Sequence, residues 1–247
     1  SLPDWRTGPA WVEPQLDAEC ALADTILVGS SFARDSFISE GIPPEKVRVI
    51  PYGADVQRFC PSPDDSTASD ARRGGGLRSL FVGQICQRKG ISYLLRAYQA
   101  FASQGTQLRL VGEFLGDPAS FAPYRHLFEH IPHVPQQVLA DIYRQSDVFV
   151  FPSLIEGLGL VVLEAMASGL PVIATPNGPG DIVRDGVDGF VVPIRDPEAI
   201  TEKLEYLRAN PERRAEMGRN ARRRALEFTW DAYKQKICYF LGTINHG

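Results

Sequence analysis

The sequence predicts an α/β fold: a doubly wound parallel sheet accompanied by an incomplete piece of a second α/β domain and a helix at the end of the chain. Three observations predict it. Strand and helix signals alternate from SLFVG at residues 79–83 to the helix beginning near Pro197, the pattern of strands joined by helical crossovers. VFVF at 148–151 is apolar at successive positions, as in a strand buried on both faces. Between Phe151 and Thr175 the chain reads FPSLIEGLGLVVLEAMASGLPVIAT, a strand exit, a glycine-bearing turn, a short helix and another strand.

In chain order, residues 1–24 read as a proline-rich loop and a short helix, and TILVGSS as a strand ending in a helix cap at Ser30 or Ser31. KVRVI at 46–50 is a second strand running into PYGAD. Two strands and about two helices cannot close a sheet with both faces covered, so residues 1–59 read as the tail of a larger domain. Residues 60–76, CPSPDDSTASDARRGGG, are rich in Pro, Ser, Asp and Gly and read as a linker or loop. Over 77–228 the expected elements are SLFVG, a helix from Ile91 to Ala102, QLRLVG, a helical stretch around Arg125 to Glu129, a weak strand near His133, a helix from Gln136 to Gln145, DVFVF, PVIAT, GFVVP and further helices. Arg213, Arg214, Arg219, Arg222, Arg223 and Arg224 read as a solvated helix face. Residues 229–247 place Trp230, Tyr233, Ile237, Phe240 and Leu241 at amphipathic spacing, which needs a surface to dock on.

The totals narrow the function. The chain has 247 residues, is 44% apolar and carries a net charge of −4, which suits a globular protein and leaves no basic footprint for nucleic acid. Cys20, Cys60, Cys86 and Cys238 lie far apart, without metal-site spacing, and read as reduced thiols of a cytoplasmic protein. The longest apolar runs are interrupted before the ~18 residues of a membrane span. Ser1 leaves room for an upstream targeting segment.

Loops at the carboxyl ends of parallel strands converge on one crevice, which groups the turns after Val82, Val111 and Phe151. VGQICQRKG at 82–90 places Arg88 and Lys89 between a strand ending at Gly83 and a helix after Gly90. A guanidinium and an ammonium there suit a diphosphate, above all one gaining charge as it departs, although a solvated basic loop reads the same way. GxGxxG is absent, which weakens a nicotinamide-dinucleotide reading. In the central stretch Glu156 precedes the helix and Glu164 lies about one turn into it. The amides of Gly157, Leu158, Gly159, Leu160 and Val161 between them sit at the positive end of the helix dipole. Separately, each glutamate fits an ordinary helix position; together they can face different parts of one extended ligand. A hydrolase would instead pair two carboxylates about 5 to 9 Å apart across one bond, with little use for the Arg-Lys pair. His126 and His130 sit four apart on an expected helix with His133 nearby, but read as surface histidines, because no acidic or cysteine partner accompanies them. No Asp-x-Asp sequence occurs to hold a metal against a diphosphate.

EGLGLVVLEAMASGLPVIAT, with seven residues between its two glutamates, resembles the signature of the retaining GT-B glycosyltransferases of family 4. VGQICQRKG resembles that family's phosphate loop, DVFVFPS its preceding strand, and GPGDIVRDGVDGFVVPIRDPEAI its following segment. TILVGSS and VRVIPYGAD resemble the last strands of its acceptor-side domain. The resemblance implies a Rossmann-like donor-binding half and a final helix that crosses back onto the first domain. It further implies transfer of a sugar from a nucleoside diphosphate donor with retention and without a metal ion or other cofactor, the leaving phosphate assisting the acceptor. Arg88 and Lys89 would hold the diphosphate beyond Gly83, Glu156 the sugar hydroxyls, Glu164 the ribose, and the amides of 157–161 the phosphates and sugar. His133 and Val134 would meet the base through the backbone. Gln84 stands where the family often has Arg, and Pro132 where it has Gly. Most of the acceptor-side domain would lie on a segment or partner chain beyond this sequence. The setting implied is cytoplasmic, at the inner face of a membrane if the acceptor is a lipid. A non-catalytic nucleotide-sugar-binding module is the alternative.

Overall fold

The computed structural model describes residues 12–61 and 76–244. The opening of the proline-rich loop and residues 62–75 of the expected linker lie outside the described residues. The first part contains α1 (Val12–Leu22), β1 (Ile26–Val28), α2 (Ser31–Ser39) and β2 (Val47–Val49). β1 and β2 pair in parallel, with Leu27 opposite Arg48. Ser30, fully buried, caps α2 by accepting from the Ala33 amide at 3.1 Å, as short hydroxyl residues do at helix starts.

The second part is built on β3 (Arg78–Val82), β4 (Gln107–Val111), β5 (Glu129–Ile131), β6 (Val148–Phe151), β7 (Val172–Ala174) and β8 (Gly189–Val191), all parallel, in the order β5-β4-β3-β6-β7-β8. The winding reverses between β3 and β6, neighbours in space but not in sequence. Right-handed crossovers leaving this centre in opposite directions place helices on both faces. α3 (Ile91–Phe101) and α5 (Leu160–Ala167) are two of these; α6 (Pro197–Ala209) packs on α3, and α7 (Pro211–Ala225) on α5. All four residues of β6 are fully buried, as their unbroken apolar run requires. α4 (Gln136–Arg144) leads into β6.

The chain then crosses back. Phe228 O accepts from the Ala54 amide at 2.9 Å, and a parallel bridge joins Ala54 to Thr229. α8 (Trp230–Ile244) follows, with Tyr233 edge-on to Tyr52 at 5.8 Å. Among the described residues no helix is long and apolar enough to cross a membrane.

Two expectations are corrected. The helical stretch around Arg125 to Glu129 is a 3-10 segment, Pro118–Leu127, followed by β5, which ends at Ile131, two residues before His133. Pro123, inside the segment, withholds an amide that an α-helix needs. His126 and His130 therefore share no helix face; His130 Nε2 lies 2.8 Å from Gly112 O and its ring stacks at a tilt on Phe114.

The arginine-rich helix is the second. Only Arg219 and Arg223 of the set are exposed. Arg214 is buried and donates to Leu207 O, and Arg224 reaches the carbonyls of Asp181 and Ile182. Arg222 donates from one nitrogen to Val56, Phe59 and Ala167 O at 2.8–3.0 Å, tying the segment after β2 to α5 and α7. Guanidinium groups with several donors satisfy backbone carbonyls left over where elements end and meet. Arg222→Ala is expected to lower stability by about 2–3 kcal/mol, and Arg219→Ala by less than about 0.5 kcal/mol, measured by urea denaturation.

Candidate functional site

The turns after β3, β4 and β6 meet at the reversal of winding, where the crevice of an open parallel sheet lies. Ile85, fully buried, links the first two: its amide donates to Glu113 O at 2.8 Å and its carbonyl accepts from Leu115 at 3.1 Å. Gly83 ends β3, its amide bonded to Val111 O at 2.9 Å. A 3-10 turn, Gln87–Lys89, then passes through Gly90 into α3.

Gly90 has φ +73°, and a Cβ there would stand 1.9 Å from Pro152 O, so no other residue lets the two loops approach this closely. The contact continues as the Leu154 amide donates to Arg88 O at 2.8 Å. The turn after β7 braces the second loop from the far side. Asn177 Nδ2 donates to Leu154 O at 2.7 Å, and Gly178, φ +119°, leaves only 2.3 Å between its would-be Cβ and Glu156 O.

This bracing brings Arg88, Lys89 and Glu156 together. Lys89 Nζ pairs with the Glu156 carboxylate, while the Arg88 guanidinium lies 3.5 Å from it and donates to Ile155 O at 3.1 Å. Lys89 is largely enclosed, its ammonium 5.0 Å from the centre of the Phe151 ring, whereas Arg88 is about half exposed. Burial, with Arg88 beside it, pulls Lys89 down to about 8, while Cys86 acts in the opposite direction. Two cations and one carboxylate here can exchange their mutual pairing for a ligand's oxygens.

α5 starts at Leu160, with Gly159 as a left-handed cap, so the helix proper begins later than Gly157. Gly157 is exposed and its amide lies 3.3 Å from Glu156 Oε1. Leu158 is buried, its Cβ 3.1 Å from where a Cβ on Gly29 would stand, beside Tyr52. Leu160 is exposed and Val161 half-buried on the core. In the first turn of α5 the Val162 amide bonds Gly159 O at 2.9 Å, while the amides before it precede the helix's own ladder of bonds. Ser30 Oγ donates to Gly157 O, and Asp181 accepts from the Ser31 amide and hydroxyl; α2 thus fastens directly to this loop.

Glu164 is set apart from the Arg88–Lys89–Glu156 group. It lines a cleft of about 610 Å³ with Leu160, Gln136, Arg58 and Trp230. Burial raises it to about 7, while the Tyr143 hydroxyl at 3.1 Å and the charge of Arg58 pull the other way. His133 is exposed and Val134 half-buried; the His133 amide donates to Glu113 Oε1 at 3.2 Å. Sequence reasoning missed Glu113, Tyr143 and the Asn177–Gly178 brace. PNGPG at 176–180 carried a turn signal for the brace, but Tyr143 falls on the apolar side of α4 and reads there as core. Among the described residues no group of three metal-ligating side chains forms.

Glu164 gives a stability test. The folded state holds its proton up to about pH 7, whereas the unfolded chain releases it near the ordinary 4.5. Stability should therefore fall as pH rises between these values, by roughly 1–3 kcal/mol. Denaturation at pH 5 and pH 8 should show this fall in the wild type and its loss in Glu164→Gln.

Comparison with known proteins gives the family and the fold. Residues 65–224 match the family described as Glycosyl transferases group 1. A D-inositol 3-phosphate glycosyltransferase of Corynebacterium kroppenstedtii is 32% identical over 228 residues, 84% of this chain and 51% of that protein. The chain spans about half the length of the curated relatives it matches. Sucrose-phosphate synthase of Thermosynechococcus elongatus superposes with a TM-score of 0.79 at 25% identity, covering 95% of this chain and 62% of that one. HepE of Anabaena, solved with UDP-glucose, shares the fold with a TM-score of 0.79 at 20% identity, covering 94% and 68%. The chain belongs to the glycosyl transferases group 1, a family of GT-B glycosyltransferases.

Proposed function

We propose that this chain holds a nucleoside diphosphate sugar and carries the donor side of a retaining, metal-independent glycosyl transfer. The observation that carries this reading is the convergence of Arg88, Lys89 and Glu156 at the reversal of winding. In this reading Arg88 and Lys89 hold the diphosphate, with Gly83 giving it room and the amides of 157–161 completing the anion site. Glu156 accepts from sugar hydroxyls, Glu164 accepts from the ribose, and the backbone of His133 and Val134 meets the base. Residues 77–228 form the donor unit, residues 1–59 belong to the acceptor side, and 229–247 cross back to it.

The chemistry asks one thing above all of these side chains. As the bond from the sugar's anomeric carbon to the diphosphate breaks, charge builds on the leaving oxygen. The new bond to the acceptor oxygen forms on the same face, and the acceptor's proton passes to that leaving oxygen. Positive charge already fixed beside it stabilises the transition state more than the ground state. Lys89 can serve this way by transferring part of its pairing from Glu156 to the diphosphate.

Because the chain spans about half of its relatives, a second reading is a module that binds the donor and leaves chemistry to another chain. Turnover separates them: hydrolysis or transfer by this chain alone favours the first, and binding without turnover the second. Calorimetric titration with UDP, GDP and their glucose and mannose derivatives tests the shared premise. Lys89→Ala is expected to weaken binding at least about 10-fold, the value of one charge-assisted hydrogen bond. Absence of binding at millimolar concentration, or unchanged affinity in Lys89→Ala, would overturn the site.

The pH dependence follows from the two shifted groups. Glu164 must be ionised to accept from the ribose, so affinity for a nucleotide sugar should rise with pH through about 7. Lys89 must be charged, so affinity should fall again above about 8. Titrations of UDP-glucose or GDP-mannose from pH 5.5 to 9.5 should trace a maximum between these values, with each limb removed by Glu164→Gln or Lys89→Met respectively.

A further inference from the structure

We propose that Tyr143 is a positioning residue for Glu164: its buried hydroxyl fixes the carboxylate that faces the cleft and sets the pH range over which that carboxylate can accept from a ligand. The donor-binding part of this inference rests on the role given to Glu164 above.

Tyr143 stands in the last turn of α4 and is fully buried. Its ring is edge-on to Phe59 at 5.6 Å and tilted against Phe149 at 5.8 Å. Phenylalanine would serve these contacts equally well, so the packing gives no reason for a hydroxyl. A buried hydroxyl needs a partner, and this one has two acceptors for one proton: Glu164 Oε2 at 3.1 Å and Val161 O at 3.2 Å.

The protonation state of Glu164 decides between them. When Glu164 is ionised, the charge-assisted bond is the stronger; Tyr143 donates to Oε2 and leaves Oε1 to accept from a ligand. When Glu164 is protonated, its acid proton can be donated to the phenol oxygen, and the phenol turns its own proton to Val161 O. That carbonyl belongs to the first turn of α5, directly after the Gly157–Gly159 loop. Gaining or losing one proton thus reverses a hydrogen-bond chain that runs from the cleft to the start of the helix.

Other charged groups share the cleft with Glu164. Arg58, from the segment after β2, favours the ionised form. Asp55, 3.5 Å from the Arg58 guanidinium, and Asp231 at the start of α8 line the same cleft. Gln136, at the start of α4, accepts from Arg58 and is uncharged. Among the described residues, Tyr143 alone donates a side-chain hydrogen bond to the carboxylate, and does so from within the core.

The experiment uses the full chain and its Tyr143→Phe, Glu164→Gln and double variants. Thermal unfolding first establishes that each folds. Carboxyl NMR titration with carbon-13-labelled glutamate then reads the Glu164 midpoint directly, and calorimetry reads UDP-glucose or GDP-mannose affinity from pH 5.5 to 8.5. In Tyr143→Phe the Glu164 midpoint should move up by about one pH unit, and affinity at pH 7 should fall about 5-fold, as the ionised fraction of Glu164 drops from about one half to about one tenth. The acid limb of the affinity profile should move with the midpoint. The double variant should bind no more weakly than Glu164→Gln alone, because Tyr143 acts through the carboxylate. An unchanged Glu164 midpoint in Tyr143→Phe, or additive losses in the double variant, would overturn the proposal. A shifted midpoint with nucleotide-sugar affinity unchanged in every variant would uphold Tyr143 as the group that sets Glu164 and would overturn the donor role of Glu164 instead.

Discussion

The close approach of Gly90 to the Pro152 carbonyl is the contact on which the rest of this structure depends. β3 and β6 are brought side by side by a reversal of winding, which creates a crevice but does not make its two rims touch. They touch because the turn into α3 passes through a left-handed glycine whose missing side chain leaves 1.9 Å for a carbonyl to occupy. From that contact follow the Leu154–Arg88 backbone bond and the position of Lys89 over the Phe151 ring. The meeting of two cations with Glu156 follows in turn. Glycine is used here for proximity as much as for flexibility.

The loop that carries Glu156 is held from three directions, and only one of them belongs to its own strand. The turn after β7 supports it through Asn177 and Gly178, and α2 supports it through Ser30 and the burial of Leu158 beside Gly29 and Tyr52. A loop of small residues would by itself sample many conformations. Here its backbone is fixed by carbonyl contacts on both sides, which leaves the side chains of Glu156 and Lys89 to respond to a ligand. The link to α2 also means that movement of the β1–β2 unit would be felt at Gly157.

The two glutamates of the central stretch occupy different electrical settings. Glu156 faces two cations near the surface of the crevice. Glu164 faces a tyrosine and the core, with Arg58 as the cation that lowers it, and is held in its neutral form up to about pH 7. They are carried on one short segment, yet one is paired with cations at the crevice and the other is set by burial.

Much of this was legible in the sequence. Alternating strand and helix signals, the unbroken apolar run of β6 and the glycine-bearing turn after it determined the doubly wound sheet, because periodicity and burial are local properties of the chain. The same logic placed Arg88, Lys89 and Glu156 on turns that face one crevice. It failed where local signals were ambiguous. Pro123 turned an expected helix into a 3-10 segment ahead of β5, and several arginines that read as a solvated face proved to be partners for backbone carbonyls. Only the tertiary structure decided that Tyr143 meets Glu164, that Asn177 and Gly178 brace Glu156, and that Arg222 ties the segment after β2 to α5. Each of these joins residues far apart in sequence, and which polar groups lose water, and so need a partner, is settled only when the elements pack.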